Sequence, residues 1–458
     1  MKIKLLLLIW FSLPILVAPA QTIPVAGKMQ RMEQGQNGEE TAAGALSLAQ
    51  AIELAIENNL NTNLASERRN ETVGEKLQAL AALMPNVSAR AGRYNNTTNL
   101  AAQGLTPGLL PISSTFVGPY DVFDARFQLA QTIFNLSSLR HFQAARTGVT
   151  LSQSEERLAR EQVSTMAALA YLETLRANRS VETAQSNLDL SRSLLELAQN
   201  QKNAGIATGV DVTRAETRLA EQQVSLTRAR TSAQTALLQL LRVTGLPLGS
   251  APILTDSLVF TGQPVPVIGQ ALQEAANDRV EIEIAAQHVL QQDYEYKSAK
   301  AGLYPTVEFV ADYGNSGARM NDLSLPTRSY GVRVNIPIFN GGATRGEMTA
   351  AKSRERQAEL RLKDTRDQVE QDVRLTIQNM ITGIEQVRAA EQEVKLAERE
   401  LEQSRDRFAS GVGDNIEVLN AQTSLANARD AQVAALTAYN TARINLAAAL
   451  GAAEKFSW

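Results

Sequence analysis

The sequence predicts a mainly α-helical protein with a small β part, in which long helical hairpins continue from four β-strands in each chain. Three observations predict this fold class: long proline-free stretches with apolar residues at heptad spacing, segments in which apolar and polar residues alternate, and a repeat that places both patterns in each half. With 458 residues the chain exceeds the roughly 250 to 300 at which single cores stop growing. It must therefore form several domains or one elongated architecture.

An internal repeat divides the chain into two halves of roughly 200 residues. Residues 203–245 align without gaps with residues 409–451, so that Gly205 matches Gly411. Prolines cluster at the joint between the halves, at Pro247, Pro252, Pro264 and Pro266. We therefore expect two structural repeats with the same plan, over residues 45–255 and 256–458.

The first 20 residues have the pattern of a cleavable export signal. Lys2 and Lys4 precede an apolar run, and Ala18 and Ala20 supply the small residues of a cleavage site. The alternative is a retained membrane anchor, but the apolar run is shorter than the roughly 20 residues of a spanning helix. Residues 21–44 are polar and rich in Gly and Gln, which predicts a flexible linker.

Each half contains a long helix followed by a shorter returning helix. Residues 343–408 lack proline, and their apolar residues recur at steps of seven, which favours a left-handed coiled coil. At 1.5 Å per residue this helix is about 100 Å long. The seam consists of Val373, Met380, Val387, Val394, Leu401 and Phe408, with the small residues Gly383, Ala390, Ala397 and Ser404 between them. The equivalent helix of the first half spans about residues 138–202, and Gly205 and Gly411 are expected to cap the two helices.

Four segments ahead of the long helices alternate between apolar and polar residues. They lie at residues 87–94, 123–130, 306–313 and 329–338, and polar loops are expected over residues 95–120 and 315–328. Segments of about ten residues with one apolar face are typical of membrane β-strands. The alternative is a set of half-buried strands in a soluble sheet. Membrane strands cannot leave open edges in lipid, and four are too few to close a barrel, so several copies must share one.

The order of these motifs resembles that of the TolC-type outer-membrane efflux family over residues 46–451. The motifs are Leu-Ser-Leu-Ala-Gln-Ala at 46–51, Asn58-Asn59, Leu-Met-Pro at 83–85, Leu-Tyr-Pro at 303–305, the segment 330–342 that ends Asn-Gly-Gly, and two Gly turns followed by Val-Asp-Val and Ile-Glu-Val-Leu. The resemblance implies a homotrimer whose copies share a twelve-stranded barrel in the bacterial outer membrane and a periplasmic α-barrel. It implies a passive exit duct of a tripartite efflux or type I secretion system, without a cofactor.

The resemblance also places a gate at the periplasmic tips of the hairpins, where a periplasmic adaptor protein and an inner-membrane pump dock. The tip turns carried over for docking are Asn203, Gly205, Ile206, Gly209, Ser410, Gly411, Val412 and Gly413. Asp211 and Glu417 occupy equivalent places after the two turns. Repeated by symmetry around a lumen, they would favour cations. The alternative is that both are first-turn carboxylates, which the helix dipole favours.

The sequence departs from the best-known member of that family at the lock of the closed state, in which a tip Asp is linked to a Tyr and an Arg near the opposite tip. Asp211 stands at the Asp position, but Phe408 and Gly413 stand at the Tyr and Arg positions. Asn420 replaces a second lumenal acid. Arg405 and Arg407, which are close to the tip, are therefore candidate substitute partners of Asp211.

Composition argues against other classes of function. The 45 basic and 48 acidic residues give a net charge of −3, which supplies no positive field for nucleic acid. There is no Cys, and His141 and His288 have no partner at metal-ligand spacing, so we expect neither a metal site nor an enzyme. The rival interpretation is a soluble periplasmic coiled-coil or adaptor-like protein in which the strands form ordinary sheets.

Overall fold

A computed structural model describes residues 44–104, 114–319 and 324–457. The predicted export signal, residues 1–20, and residues 21–43 of the predicted linker lie outside the described residues.

The same order of long elements occurs twice along the chain. The first half contains strand β1 (Ala45–Leu46), helices α1 (Leu48–Asn58) and α2 (Leu60–Ala81), strands β2 (Asn86–Asn99) and β3 (Phe116–Phe134), and helices α3 (Leu136–Asn203) and α4 (Gly209–Thr244). The second half contains strand β4 (Ile253–Leu254), helices α5 (Ile268–Asp278) and α6 (Val280–Ala301), strands β5 (Thr306–Gly317) and β6 (Ser324–Asn335), and helices α7 (Ala343–Ala409) and α8 (Asn415–Ala449). Short 3₁₀ turns at Leu100–Gln103 and Ala453–Lys455 complete the described elements.

The four long strands form one antiparallel sheet in the order β2-β3-β5-β6. Val87, Leu129, Ala311 and Tyr330 stand side by side in one row across it. Because side chains alternate along a strand, this register gathers the apolar positions of all four strands on one face. Within the described residues, the outer edges of β2 and β6 pair with no further strand.

Charged side chains lie on the opposite face of the sheet. Arg126 pairs with Asp124 on its own strand and with Asp312 on β5, where the Nη1–Oδ1 distance is 2.9 Å. Arg333 lies 3.6 Å from Glu308, its cross-strand neighbour. In the half of the sheet near the helices, an apolar face is therefore separated from a face with paired charges, as the alternation predicted. Toward the other end, the Arg93–Asp121 pair lies on the apolar face.

The strands extend beyond the predicted boundaries at the ends distant from the helices. Residues expected in loops, 95–99, 116–120, 315–317 and 324–328, continue the ladder. Backbone hydrogen bonds continue through Asn, Thr and Ser, so loss of apolar alternation did not mark the strand ends. At the other end, β6 stops at Asn335, and Ile336 and Ile338 lie outside the strand that was expected to include them.

The two long helices agree with their predicted bounds within two residues, at 68 residues for α3 and 67 for α7. On the α7 seam, every apolar residue is buried except Val394, which is partly buried. A Cβ added to Gly383 would lie 3.0 Å from Cα of Tyr439 on α8. The close approach expected at the small residues is thus present in the second hairpin.

The segment between the two halves packs across the helices near mid-length. Tyr171 of α3 is fully buried, and its hydroxyl donates to the backbone oxygen of Leu46 (2.9 Å) and to Asp256 (2.7 Å). Tyr439 of α8 is also buried, and its hydroxyl lies 3.1 Å from that of Thr261. These contacts attach the joint to both hairpins, and the tips project away from this junction.

Candidate functional site: the hairpin tips

The candidate site consists of two turns, here called the first tip (residues 201–214) and the second tip (residues 405–420). Gly205 and Gly411 have φ values of 74° and 72°, a left-handed conformation that glycine adopts without steric cost. The Ile206 N–H donates to the Gln201 carbonyl (2.9 Å), and the Val412 N–H donates to the Arg407 carbonyl (3.0 Å). Both long helices therefore end in the same glycine-capped turn.

In the first tip, the Asp211 carboxylate binds the cap of its own helix. Its Oδ2 accepts hydrogen bonds from the backbone N–H of Thr208 (2.9 Å) and from the Thr208 hydroxyl (2.7 Å). These bonds hold the pKa of Asp211 below its usual value. Arg214, one turn along α4, places Nη1 3.7 Å from Oδ1. Asp211 is therefore a satisfied first-turn carboxylate within its own protomer.

In the second tip, the acid at the matching position has a different partner. Glu417 Oε2 lies 3.3 Å from Nε of Arg407, so this ion pair joins the end of α7 to the start of α8. The cap of α8 is supplied instead by Asp414, which accepts from the Ile416 N–H (3.2 Å). Both side chains of the ion pair are about half exposed.

The predicted lock residues lie in different environments. Phe408 is buried among apolar residues, which include Leu401 and Val418. Arg405 is exposed and borders a groove between the two hairpins. No ion pair joins Asp211 to Arg405 or Arg407 among the residues that the structure describes, where Arg214 is the charged partner of Asp211. Within one protomer, neither arginine therefore pairs with Asp211.

Asn420 borders a groove of about 830 Å³ between the starts of α4 and α8. Basic side chains of Lys202, Arg214 and Arg218 share this groove with Glu221. Arg218 pairs with Glu221 at 3.0 Å. Beside the position where the family carries a second acid, this chain thus presents basic groups.

The exposed surface of both tips is apolar around the turns. Ile206, Val210, Val412 and Ile416 are exposed large apolar residues, and Gly209, Ser410 and Gly411 are exposed beside them. Asn203 and Gly413 complete the predicted docking turns, and Gly413 is partly buried. Exposed apolar side chains in adjacent turns are typical of a surface that binds a partner.

Sequence reasoning missed the hydrogen bonds that two buried amides, Gln201 and Asn415, make across the two tips. Gln201 occupies the position that matches Arg407 in the repeat. The difference between an amide and a basic residue at matching positions of the repeat was the available sign that the two tips differ. It could not show which hairpin the Gln201 side chain contacts.

The described residues give no indication of other site chemistry. Within them, no group of three or more His, Asp and Glu side chains is placed to hold a metal ion. His141 contacts Glu295 at 3.1 Å, and His288 borders a groove between α6 and α7. None of the helices in the described part of the chain combines the length and apolar character needed to cross a membrane.

A one-sided apolar sheet with open edges, continuous with hairpins about 100 Å long that end in paired turns, defines a class of oligomeric outer-membrane channel subunits. The chain belongs to the outer membrane efflux protein family, which it matches over residues 51–246 and 271–452. This membership confirms the resemblance recognised in the motifs and the outer-membrane location.

Known proteins of this family resemble the chain over most of its length. It is 22% identical to the proteases secretion protein PrtF of Dickeya chrysanthemi, covering 85% of this chain and 84% of that protein. It is 24% identical to the outer membrane protein TolC of Escherichia coli, covering 71% and 69%. The fold matches VceC of Vibrio cholerae with a TM-score of 0.76, 22% identity and coverage of 88% and 96%. It matches the CmeC outer membrane channel of Campylobacter jejuni with a TM-score of 0.78, 17% identity and coverage of 89% and 86%.

Proposed function

We propose that three copies of this chain form a passive exit duct that crosses the outer membrane and continues through the periplasm. One observation carries the proposal: the sheet has an apolar face and leaves the outer edges of β2 and β6 without a partner in the protomer. In hydrocarbon, each unpaired backbone group costs several kcal/mol, so these edges must pair with other copies.

Three copies supply twelve strands, a number that leaves a water-filled interior. The apolar face then contacts lipid, and the face that carries the Arg126–Asp312 and Glu308–Arg333 pairs lines the passage. The α-helical hairpins extend the same passage into the periplasm, so control falls to their tips.

At the tips, the exposed apolar side chains of Ile206, Val210, Val412 and Ile416 form the docking surface for a periplasmic adaptor that couples the duct to an inner-membrane pump. Relatives include proteins named for protease secretion and for pyoverdine export. The duct accordingly serves a tripartite efflux or type I secretion system. Asp211, Glu417 and the lock candidates Arg405 and Arg407 contribute to gating across protomer boundaries.

The membrane role can be tested with one substitution on each face of β3. Phe127 lies on the apolar face and is exposed, whereas Gln128 lies on the opposite face. Phe127→Arg places a charge toward lipid at a cost of about 2–4 kcal/mol, and it should abolish the outer-membrane oligomer that resists dissociation in cold detergent. Gln128→Arg is the matched control and should leave that oligomer intact. Release of the wild-type chain with the soluble periplasm would favour the adaptor-like alternative and end the proposal.

The gating role of Asp211 has a separate test. Asp211→Ala should raise the conductance of the purified duct in planar bilayers and alter the vancomycin sensitivity of cells that depend on it. If both stay at the wild-type level, Asp211 acts only as a helix cap.

A further inference from the structure

We propose that Gln201 and Asn415 form an uncharged clasp between the two hairpin tips of one protomer, and that opening of the periplasmic end requires this clasp to part. The inference rests on the proposed exit duct. It replaces the missing ionic lock with hydrogen bonds that this chain makes through two buried amides.

The first half of the clasp is Gln201, in the last turn of α3. Its Nε2 donates to the backbone oxygens of Ala409 (3.1 Å) and Phe408 (3.3 Å), at the end of α7. The last four carbonyls of a helix lack intrahelical donors, and Gln201 supplies a donor to that of Ala409. The Gln201 side chain therefore bridges from the first hairpin to the second.

The second half of the clasp is Asn415, the first residue of α8. Its Nδ2 donates to the backbone oxygen of Asp211 in the first turn of α4 (3.0 Å). This bond runs from the second hairpin to the first, opposite in direction to that of Gln201. Together the two amides connect the tip ends of all four helices.

Both amides are withdrawn from water, since Gln201 is 7% and Asn415 is 5% exposed. While the tips are together, water does not compete for the polar groups of these buried hydrogen bonds. Loss of the bonds leaves buried polar groups without partners. Further up the same interface, Gln422 donates to Ser191 and Arg429 lies 3.4 Å from Asn187 Oδ1. The clasp therefore lies at the tip end of an interface between the hairpins that contains these polar contacts and the apolar side chains of Leu194, Val418 and Leu425.

The ion pairs of the tips do not span the two hairpins. The Arg407–Glu417 pair stays within the second hairpin, and the Asp211–Arg214 pair stays within α4. The bonds of Gln201 and Asn415 do span them. Because neither amide is charged, screening by salt should leave the strength of the clasp unchanged.

The test measures the conductance of the purified duct in planar bilayers. Gln201→Leu and Asn415→Leu should each raise the open fraction at least about fivefold, the factor that corresponds to one net hydrogen bond of about 1 kcal/mol in one of the three protomers. The increase should be the same in roughly 0.1 M and 1 M potassium chloride. Gln403→Leu is the control, because Gln403 is an exposed glutamine near the tip end of the other long helix, α7, and it should leave conductance unchanged.

A second measurement uses the absence of native cysteine. In the Asn415→Leu background, Gln201→Cys and Ala409→Cys provide a unique thiol pair across the clasp. Joining the two thiols with a short cleavable reagent should return conductance to the wild-type level. Cleaving the reagent should raise the open fraction again to that of the uncross-linked variant.

The outcomes separate the two proposals. Pores that form but conduct equally in wild type and both leucine variants overturn the clasp and leave the duct standing. An increase equal to that of Gln403→Leu, or conductance that ignores the cross-link, also overturns it. A wild-type chain that forms no pore in any condition overturns the duct itself.

Discussion

The two hairpin tips have the same backbone conformation but different side-chain contacts. Each long helix ends at a left-handed glycine, and each return helix carries an acid six residues later. In the first tip that acid caps its own helix and the matching basic position is an amide, Gln201, that contacts the other hairpin. In the second tip the acid and base form an exposed ion pair within one hairpin. The two repeats thus keep the same turn, but their side chains differ. Those of the first tip make an uncharged contact with the other hairpin, and those of the second tip make an ion pair within their own hairpin.

The largest effect should come from the interior of the hairpins, where they differ in the small residue at one helix contact. Gly383 lies against Tyr439, whereas Ala177 holds the matching position in the first hairpin. Gly383→Leu should destabilise the second hairpin by about 3 kcal/mol, because the added side chain has no room. Thermal loss of helical circular dichroism measures the change.

Gly346 is the control for this substitution, since a Cβ there meets nothing within 4 Å in the same helix. Gly346→Leu should be neutral or stabilising, because glycine is a poor helix former. Equal melting of the two variants would show that the close approach at Gly383 is not a constraint.

A smaller effect should separate the two tip acids. Asp211→Ala removes the acceptor of the Thr208 cap and should cost about 1 kcal/mol of local stability. Hydrogen exchange at the first turn of α4 measures it. Glu216→Ala, at an exposed position one turn further along the same helix, should leave exchange at that turn unchanged.

The pH dependence of this loss follows from the Thr208 hydrogen bonds, which lower the pKa of Asp211 from its reference of 3.8. A carboxyl with a depressed pKa stabilises the fold above its unfolded pKa, and the contribution disappears as pH falls through the folded value. The difference between wild type and Asp211→Ala should therefore be full at neutral pH and shrink below pH 3.8. A difference that persists unchanged in acid would assign the effect to packing.

The smallest effect is expected at the second tip. Glu417→Gln breaks a half-exposed ion pair with Arg407 and should cost only about 0.2–1 kcal/mol. Hydrogen exchange at the first turn of α8 should show this loss at low salt and little of it at 1 M salt, a concentration at which the screening length is about 3 Å. A loss of local stability as large as that caused by Asp211→Ala would show that the two tip acids stabilise their helices equally.

Patterns that depend on neighbours in sequence were readable from the sequence alone. The proline-free stretch marked the extent of α7, the heptad seam marked its buried face, and alternation identified all four strands of the sheet. The polar ends of the strands were not readable, because residues such as Asn96 and Thr327 continue the backbone ladder without apolar alternation. The contacts of Gln201 and Asn415 depend on the approach of helices separated by about 200 residues, which no local pattern encodes.

The open edges of the sheet also bear on how the protein is made. A newly exported copy has no stable resting place in the bilayer by itself, so insertion and association must be completed together. In cells that produce both an edge-defective copy and a normal one, defective copies would then assemble with normal copies into mixed oligomers that cannot close. The defect would therefore be genetically dominant.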